Sequence, residues 1–171
     1  MGTRQLDLLR RWTLLPDPDD VGVARSWWEQ PPTEGWVSCR TDEAWQHSLG
    51  DEFQGVAWYR RRARLPKKWL GGGKRVRLRF QSVATDCRVW VNGTEVGSHT
   101  GDHVPFEFDI TDALDSSERC EIVCRVEHRR GVPHETRVQD PHDGHAPRGR
   151  QDVPSVQHGG IWGGVAVCVT G

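Results

Sequence analysis

The sequence predicts an all-β fold, an antiparallel β-sandwich of jelly-roll type, and three observations predict it. Apolar and polar residues alternate in nearly every run beyond residue 55, stretches rich in Gly, Pro and Ser separate the runs, and no segment sustains a long 3.6-residue period. In AWYRRRARL, Ala57, Tyr59, Ala63 and Leu65 share one face and Trp58, Arg60, Arg62 and Arg64 the other, with Arg61 interrupting the apolar side. KRVRLRF sets Val76, Leu78 and Phe80 against Arg75, Arg77 and Arg79, the pattern of a strand with one solvated face. VATDCRVWV turns Val83, Thr85, Cys87, Val89 and Val91 inward and leaves Trp90 on the opposite face, and FEFDI, EIVCRVEH and GVAVCV repeat the alternation. The expected interior is Val76, Leu78, Phe80, Val89, Val91, Phe106, Phe108, Ile122, Val165 and Val167, between two layers about 10 Å apart.

Turn chemistry punctuates these runs at Pro66 with Lys67 and Lys68, at Gly71-Gly72-Gly73, at Asn92-Gly93 and at Ser116-Ser117. Asn92-Gly93 supplies the positive φ angles of a type I′ hairpin turn. Helix is confined to two short turns, one capped by Thr41 through DEAWQHSL and one capped by Thr111 through DAL. Residues 129–159 have almost no apolar periodicity and read as a long irregular excursion, a length of loop that in compact domains tends to be functional or disordered. Residues 1–171 read as a single domain, large enough to bury a core without disulfides or metals.

With 23 basic and 24 acidic residues the chain has a formal charge of −1 and no global field to draw in nucleic acid or an anionic membrane. No apolar run approaches the roughly 18 residues that cross a bilayer, and MGTRQLDLLRRW lacks the apolar stretch of a secretory signal, so the cytoplasm is the default expectation. The basic stripe from Arg60 to Arg79 fits either a nucleic-acid groove or a strand face cross-paired with Glu107, Asp109, Glu121 and Glu127, and the second reading is the simpler. Cys39, Cys87, Cys120, Cys124 and Cys168 form an odd set without CxxC spacing and read as reduced, buried thiols. His99-x3-His103 and His142-x2-His145 beside Asp140 and Asp143 invite a metal reading, but four ligands at closed spacing are absent. No cofactor is expected, with a structural calcium on loop carboxylates as the alternative. Asn92-Gly93-Thr94 fits a glycosylation acceptor, although its place at a hairpin tip explains it. Neither a GxSxG elbow nor a marked carboxylate pair is present, so no catalytic residue is expected on this chain.

Four segments taken in order resemble the amino-terminal sugar-binding β-sandwich of glycoside hydrolase family 2, the β-galactosidases, β-glucuronidases and β-mannosidases. They are RRWTLLPDPDDVGVARSWW, QGVAWYRRRARLP, RVWVNGTEVGSHTGDHVPFEFDIT, and DPHDGHAPRGRQ followed by GGIW. The resemblance implies a galactose-binding-domain-like jelly roll. It also implies that catalysis belongs to a (β/α)8 barrel outside this chain, which in the family follows an immunoglobulin-like domain and carries both glutamates. It implies that the His-x-Gly segment crosses from the hairpin to the next strand, which makes His99, Gly101 and Pro105 architectural and leaves direct sugar contact by His99 or Asp102 as the alternative. The sequence departs from the family pattern at Pro154, where several members place an Asp, and at Gly163, where an Arg often follows the Trp.

The function expected is that of a non-catalytic carbohydrate-binding module or the amino-terminal sugar-binding domain of a family 2 glycosidase. The alternative is a structural sandwich that docks to other domains or chains of such an enzyme. Sugars are held by apolar ring faces on Trp or Tyr and by planar polar side chains on the hydroxyls. Trp162 and Trp90 are the expected stacking residues, and Asp140, Asp143, His145, Arg148, Arg150 and Gln151 the expected hydroxyl partners, on the 129–159 loop that a rigid sheet positions.

Overall fold

A computed structural model describes residues 4–101, 104–128 and 158–171. Its strands are β1 (Arg4–Asp7), β2 (Trp12–Pro16), β3 (Val37–Cys39), β4 (Gly55–Arg64), β5 (Arg75–Phe80), β6 (Val83–Ala84), β7 (Asp86–Val91), β8 (Thr94–Thr100), β9 (Phe106–Asp109), β10 (Arg119–His128), β11 (Gly160–Ile161) and β12 (Val165–Thr170). Every pairing is antiparallel, in a four-stranded sheet ordered β1-β12-β5-β9, a six-stranded sheet ordered β3-β2-β4-β10-β7-β8, and a two-stranded pair β11-β6. The all-β sandwich predicted from alternation is the observed architecture.

Alternation fixes which side chains meet between the sheets. Leu78 of β5, Val89 of β7, Ile122 of β10 and Val167 of β12 have no exposed surface, and Val76, Phe80, Val91 and Val165 join them, with Phe106 and Phe108 packed at the margin. The outward arginines pair with carboxylates of neighbouring strands: Arg60 and Arg62 with Glu121, Arg64 with Glu118, Arg75 with Asp109, and Arg77 and Arg79 with Glu107. The basic stripe is therefore largely a set of cross-strand ion pairs.

Asn92 and Gly93 adopt φ of 48° and 83° at the tip between β7 and β8. The Asn92 amide has a second task, because Nδ2 donates to Ala113 O and Arg119 O while Oδ1 accepts from Glu121 N. That occupation explains the residue without a glycan. Asn92→Ala is expected to cost about 2 kcal/mol, read as a lower denaturant midpoint with an unchanged slope.

Two local expectations are corrected. The one α-turn among the described residues, α1 (Gln46–Leu49), is preceded by Trp45 and has no side-chain cap. Thr41 instead donates its hydroxyl to Leu8 O, while its backbone N–H bonds to Leu9 O and its carbonyl accepts from Gly164, tying three segments together. Thr111 lies within a 3-10 turn (Thr111–Ala113) preceded by Ile110, and its hydroxyl accepts from Val76 N at 2.9 Å.

The outer face of the six-stranded sheet carries a second apolar layer. Residues 17–36 strap across it, so that Trp27 and the half-buried Val21, Val23, Trp28 and Trp36 cover Leu15, Val56, Trp58, Trp90 and Val123. Asp17 anchors the strap: 1% exposed, its carboxylate accepts from Val21 N, Gly22 N and Trp58 Nε1, each at 2.9 Å. Gly22 lies so close to the Trp58 indole that a Cβ there would sit 2.5 Å from the ring. From β10, Arg125 adds a bidentate pair to Asp20. Among the described residues no helix is long and apolar enough to cross a membrane.

Candidate functional site

Six of the nine tryptophans are buried, which leaves Trp28, Trp36 and Trp162 to offer ring surface. The expectation that Trp90 stacks on a ligand is corrected: the ring is 2% exposed, stacked with Trp28 at 5.0 Å and with Trp58 at 5.4 Å, with the Arg88 guanidinium over it. Trp90 does point away from the inner core, as alternation required, but the strap covers that face.

Trp162 lies at the end of the sandwich where β11 pairs with β6. It is half-buried, its backbone N–H donates to Ser82 O at 3.2 Å, and the His158 ring is 6.2 Å away. Close backbone approach builds this corner. A Cβ on Gly159 would overlap Trp45 Nε1, one on Gly160 would overlap the Tyr59 hydroxyl, and one on Gly163 would lie 2.7 Å from Ser82 N. No side chain fits at Gly163 beside Ser82, which gives the departure from the family's Arg a steric basis. Tyr59 Oη accepts from Ile161 N at 3.1 Å, and burial pushes its phenol well above its ordinary range.

His99 sits on β8 and stacks on Phe106 of the opposite sheet at 4.0 Å and 19°. Its Nε2 has no hydrogen-bond partner among the described residues, and burial lowers its pKa against the opposing pull of Asp86. The ring packs between β8 and β9, and beside it Gly101 N donates to Thr85 O at 2.9 Å. Asp102, Asp140, Asp143, His145, Arg148, Arg150 and Gln151 lie outside the described residues, as does most of the 129–159 loop.

A groove that sequence reasoning missed opens on the outer face of the six-stranded sheet, with a volume of about 800 Å³. Trp28 and Glu29 of the strap form one wall, Asp115, Ser117 and Arg119 the other, and Arg60, Arg62 and Glu121 lie along β4 and β10. Trp28 is braced by Trp90, stacked almost parallel at 5°. The Arg60 and Arg62 guanidiniums share Glu121, which fixes planar polar groups beside the indole. Arg62 keeps 72% of its side chain exposed, and Arg119 has no ion-pair partner among the described residues. An aromatic wall facing planar donors and carboxylates is the chemistry that recognises a polyhydroxylated ring. The one sequence signal was the Trp27-Trp28 pair; its place beside β4 and β10 depends on long-range packing.

Nucleophilic and metal chemistry finds little support among the described residues. No group of three or more His, Cys, Asp or Glu converges on a common point. All five cysteines are free, and burial pushes the Cys39 and Cys120 thiols up to about 12, far from the range of a reactive thiolate.

Comparison with known proteins agrees with this architecture. The family model for glycosyl hydrolases family 2, sugar binding domain, matches residues 46–143, more than half of the chain. The β-glucuronidase of Canis lupus familiaris is 33% identical over 132 residues, which cover 70% of this chain and 20% of that protein. Ruminococcus gnavus β-glucuronidase in complex with uronic isofagomine superposes with a TM-score of 0.66 at 25% identity over 74% of this chain and 21% of that one. A solved structure from Bacteroides fragilis shares the fold over 99% of this chain and 24% of its own, with a TM-score of 0.68 at 23% identity. The chain thus spans about a fifth of the length of the β-glucuronidases of Paenibacillus borealis and Canis lupus familiaris. From the sandwich, the ordered motifs and the family match together, the chain belongs to the sugar-binding domain family of the family 2 glycosyl hydrolases.

Proposed function

We propose that this domain binds carbohydrate without catalysing its cleavage and acts as the sugar-binding sandwich of a family 2 glycosidase of the β-glucuronidase kind. The observation that supports this most directly is the Trp28 groove, whose braced indole stands beside Arg62, Arg119 and Glu29. A sugar ring stacks on Trp28 while the guanidiniums donate to its hydroxyls or to a uronate carboxylate. Trp162, with His158 beside it, is the second stacking position. It acts with Asp102, Asp140, Asp143, His145, Arg148, Arg150 and Gln151, while His99 acts through the fold.

Titration calorimetry of the whole chain with β-glucuronide and β-galactoside oligosaccharides tests the proposal. Saturable heat is expected, with a loss of about tenfold or more in affinity for Trp28→Ala, the size usual for truncating an aromatic anchor. Loss in Trp162→Ala and not in Trp28→Ala moves the site to the loop end. No heat from any glycan at millimolar concentration sinks the carbohydrate reading and favours a sandwich that docks to other domains or chains of a glycosidase.

A further inference from the structure

Arg61 breaks a rule that the rest of β4 obeys. It occupies the inward row with Ala57, Tyr59 and Ala63, where an apolar side chain belongs. Arg60, Arg62 and Arg64 on the same strand, and Arg75, Arg77 and Arg79 on β5, each have a carboxylate within 4 Å, whereas Arg61 has none among the described residues. Among the described residues its side chain's one hydrogen bond runs from Nη1 to the carbonyl of the adjacent Arg62, and its buried Nε has no partner. Burial depresses its pKa, and the neighbouring Arg11 depresses it further. Two guanidiniums held together without a counter-ion are mutually repulsive, so the site is complementary to an anion.

These residues line a cleft of about 450 Å³ formed by Leu6, Asp7, Leu8, Arg11 and residues 61–64. Arg62 shares Glu121 with Arg60 and Arg64 pairs with Glu118, while Asp7, whose carboxylate accepts from the neutral Gln5 amide, keeps its charge but forms no ion pair with Arg11 or Arg61 among the described residues, so the two guanidiniums outweigh the one carboxylate. Arg11 reaches the cleft from a left-handed backbone, φ 63°. Among the described residues no aromatic ring lines the cleft, and none there offers the platform on which a saccharide stacks. Leucines line it instead, and β1 beside it is the edge strand of the four-stranded sheet. An edge strand offers unpaired backbone groups to an extended chain.

We infer that the Arg11–Arg61 cleft docks an acidic, leucine-bearing polypeptide segment of another domain or chain, which places a carboxylate between the two guanidiniums and pairs along β1. The two sites share Arg62 and Ala63, but the proposal rests on Arg11 and Arg61, neither of which lines the Trp28 groove, and it needs no sugar.

The test is fluorescence anisotropy of a labelled Asp-Leu-Asp-Leu-Asp-Leu peptide with the whole chain at low salt. Saturable binding is expected, weakened as salt rises, and reduced about tenfold or more by Arg61→Leu and by Arg11→Ser, the effect of losing a charge-assisted hydrogen bond. The thermal midpoint of Arg61→Leu is expected to equal or exceed that of the wild type, because leucine restores the apolar row. Failure of the peptide to bind, equal binding of a Lys-Leu peptide, displacement by free glucuronate at matching concentration, or unchanged affinity in both variants overturns the inference. If Arg61→Leu does not fold, the surface variant Arg11→Ser decides by the same readout. Glycan calorimetry on the same samples reports the Trp28 groove separately, so failure of one proposal is distinguishable from failure of the other.

Discussion

Asp17→Ala is expected to destabilise the domain by about 3–5 kcal/mol, among the largest effects of any single substitution outside the inner core. The carboxylate is 1% exposed and is the common acceptor for Val21 N, Gly22 N and Trp58 Nε1. Alanine leaves three donors facing an apolar layer, each unpaired buried donor costing about 1–3 kcal/mol, and water that enters to satisfy them must part Trp27 from Trp58, whose rings lie 5.8 Å apart. Asp17→Asn separates charge from shape, since its amide keeps one acceptor oxygen but turns an NH2 towards N–H donors. It is expected to recover less than half of the loss. Urea unfolding followed by circular dichroism checks both, and a loss below about 1 kcal/mol for Asp17→Ala would show that packing and the Asp20–Arg125 pair hold the strap without the Asp17 carboxylate.

Gly160→Ala is expected to cost about 3–4 kcal/mol, combining two mechanisms at one position. The residue has φ 84°, which costs a residue with a Cβ about 1 kcal/mol. The new methyl also overlaps the Tyr59 hydroxyl and lies 3.0 Å from Trp45 Cβ, an overpacking penalty of about 1–3 kcal/mol. Tyr59 cannot yield freely, because its hydroxyl holds Ile161 N. Gly50 supplies the control: φ is 95°, yet nothing lies within 4 Å of a Cβ there, so Gly50→Ala isolates the backbone cost at about 1 kcal/mol. Thermal unfolding of both variants compares them directly, and equal losses would remove the steric part of the argument.

The inner faces of the sandwich were legible because period-two alternation is a local property. Val76, Leu78 and Phe80 announce their side of β5 without reference to any other strand. The hairpin was legible for the same reason, since positive φ at Asn92-Gly93 is a demand that few residue pairs meet. Alternation sorts residues into two faces but does not say what covers the second. Trp58, Trp90, Leu15 and Val123 all stood at outward positions, paired across strands as Leu15 with Trp58 and Val123 with Trp90. That coincidence was the available sign of a covered face, and it depends on register, which no single strand reveals. Thr41 was misread because a hydroxyl ahead of a short amphipathic run looks the same whether it caps the turn or bonds a carbonyl 33 residues earlier in the chain. The Trp28 groove was hidden for a related reason, its walls coming from segments some ninety residues apart, Trp28 and Glu29 against Ser117 and Arg119.

The strap from Asp17 to Trp36 has a consequence for how such a domain diversifies. One wall of the groove comes from a segment clasped to the exterior of the sheet by two carboxylates, Asp17 and Asp20, while the interior is assembled from other residues altogether. Changes of length or composition between the clasp and Trp36 therefore reshape what the groove admits without repacking the filling between the layers. Recognition and foldability are written in separable stretches of the chain, and selection is free to revise one while conserving the other.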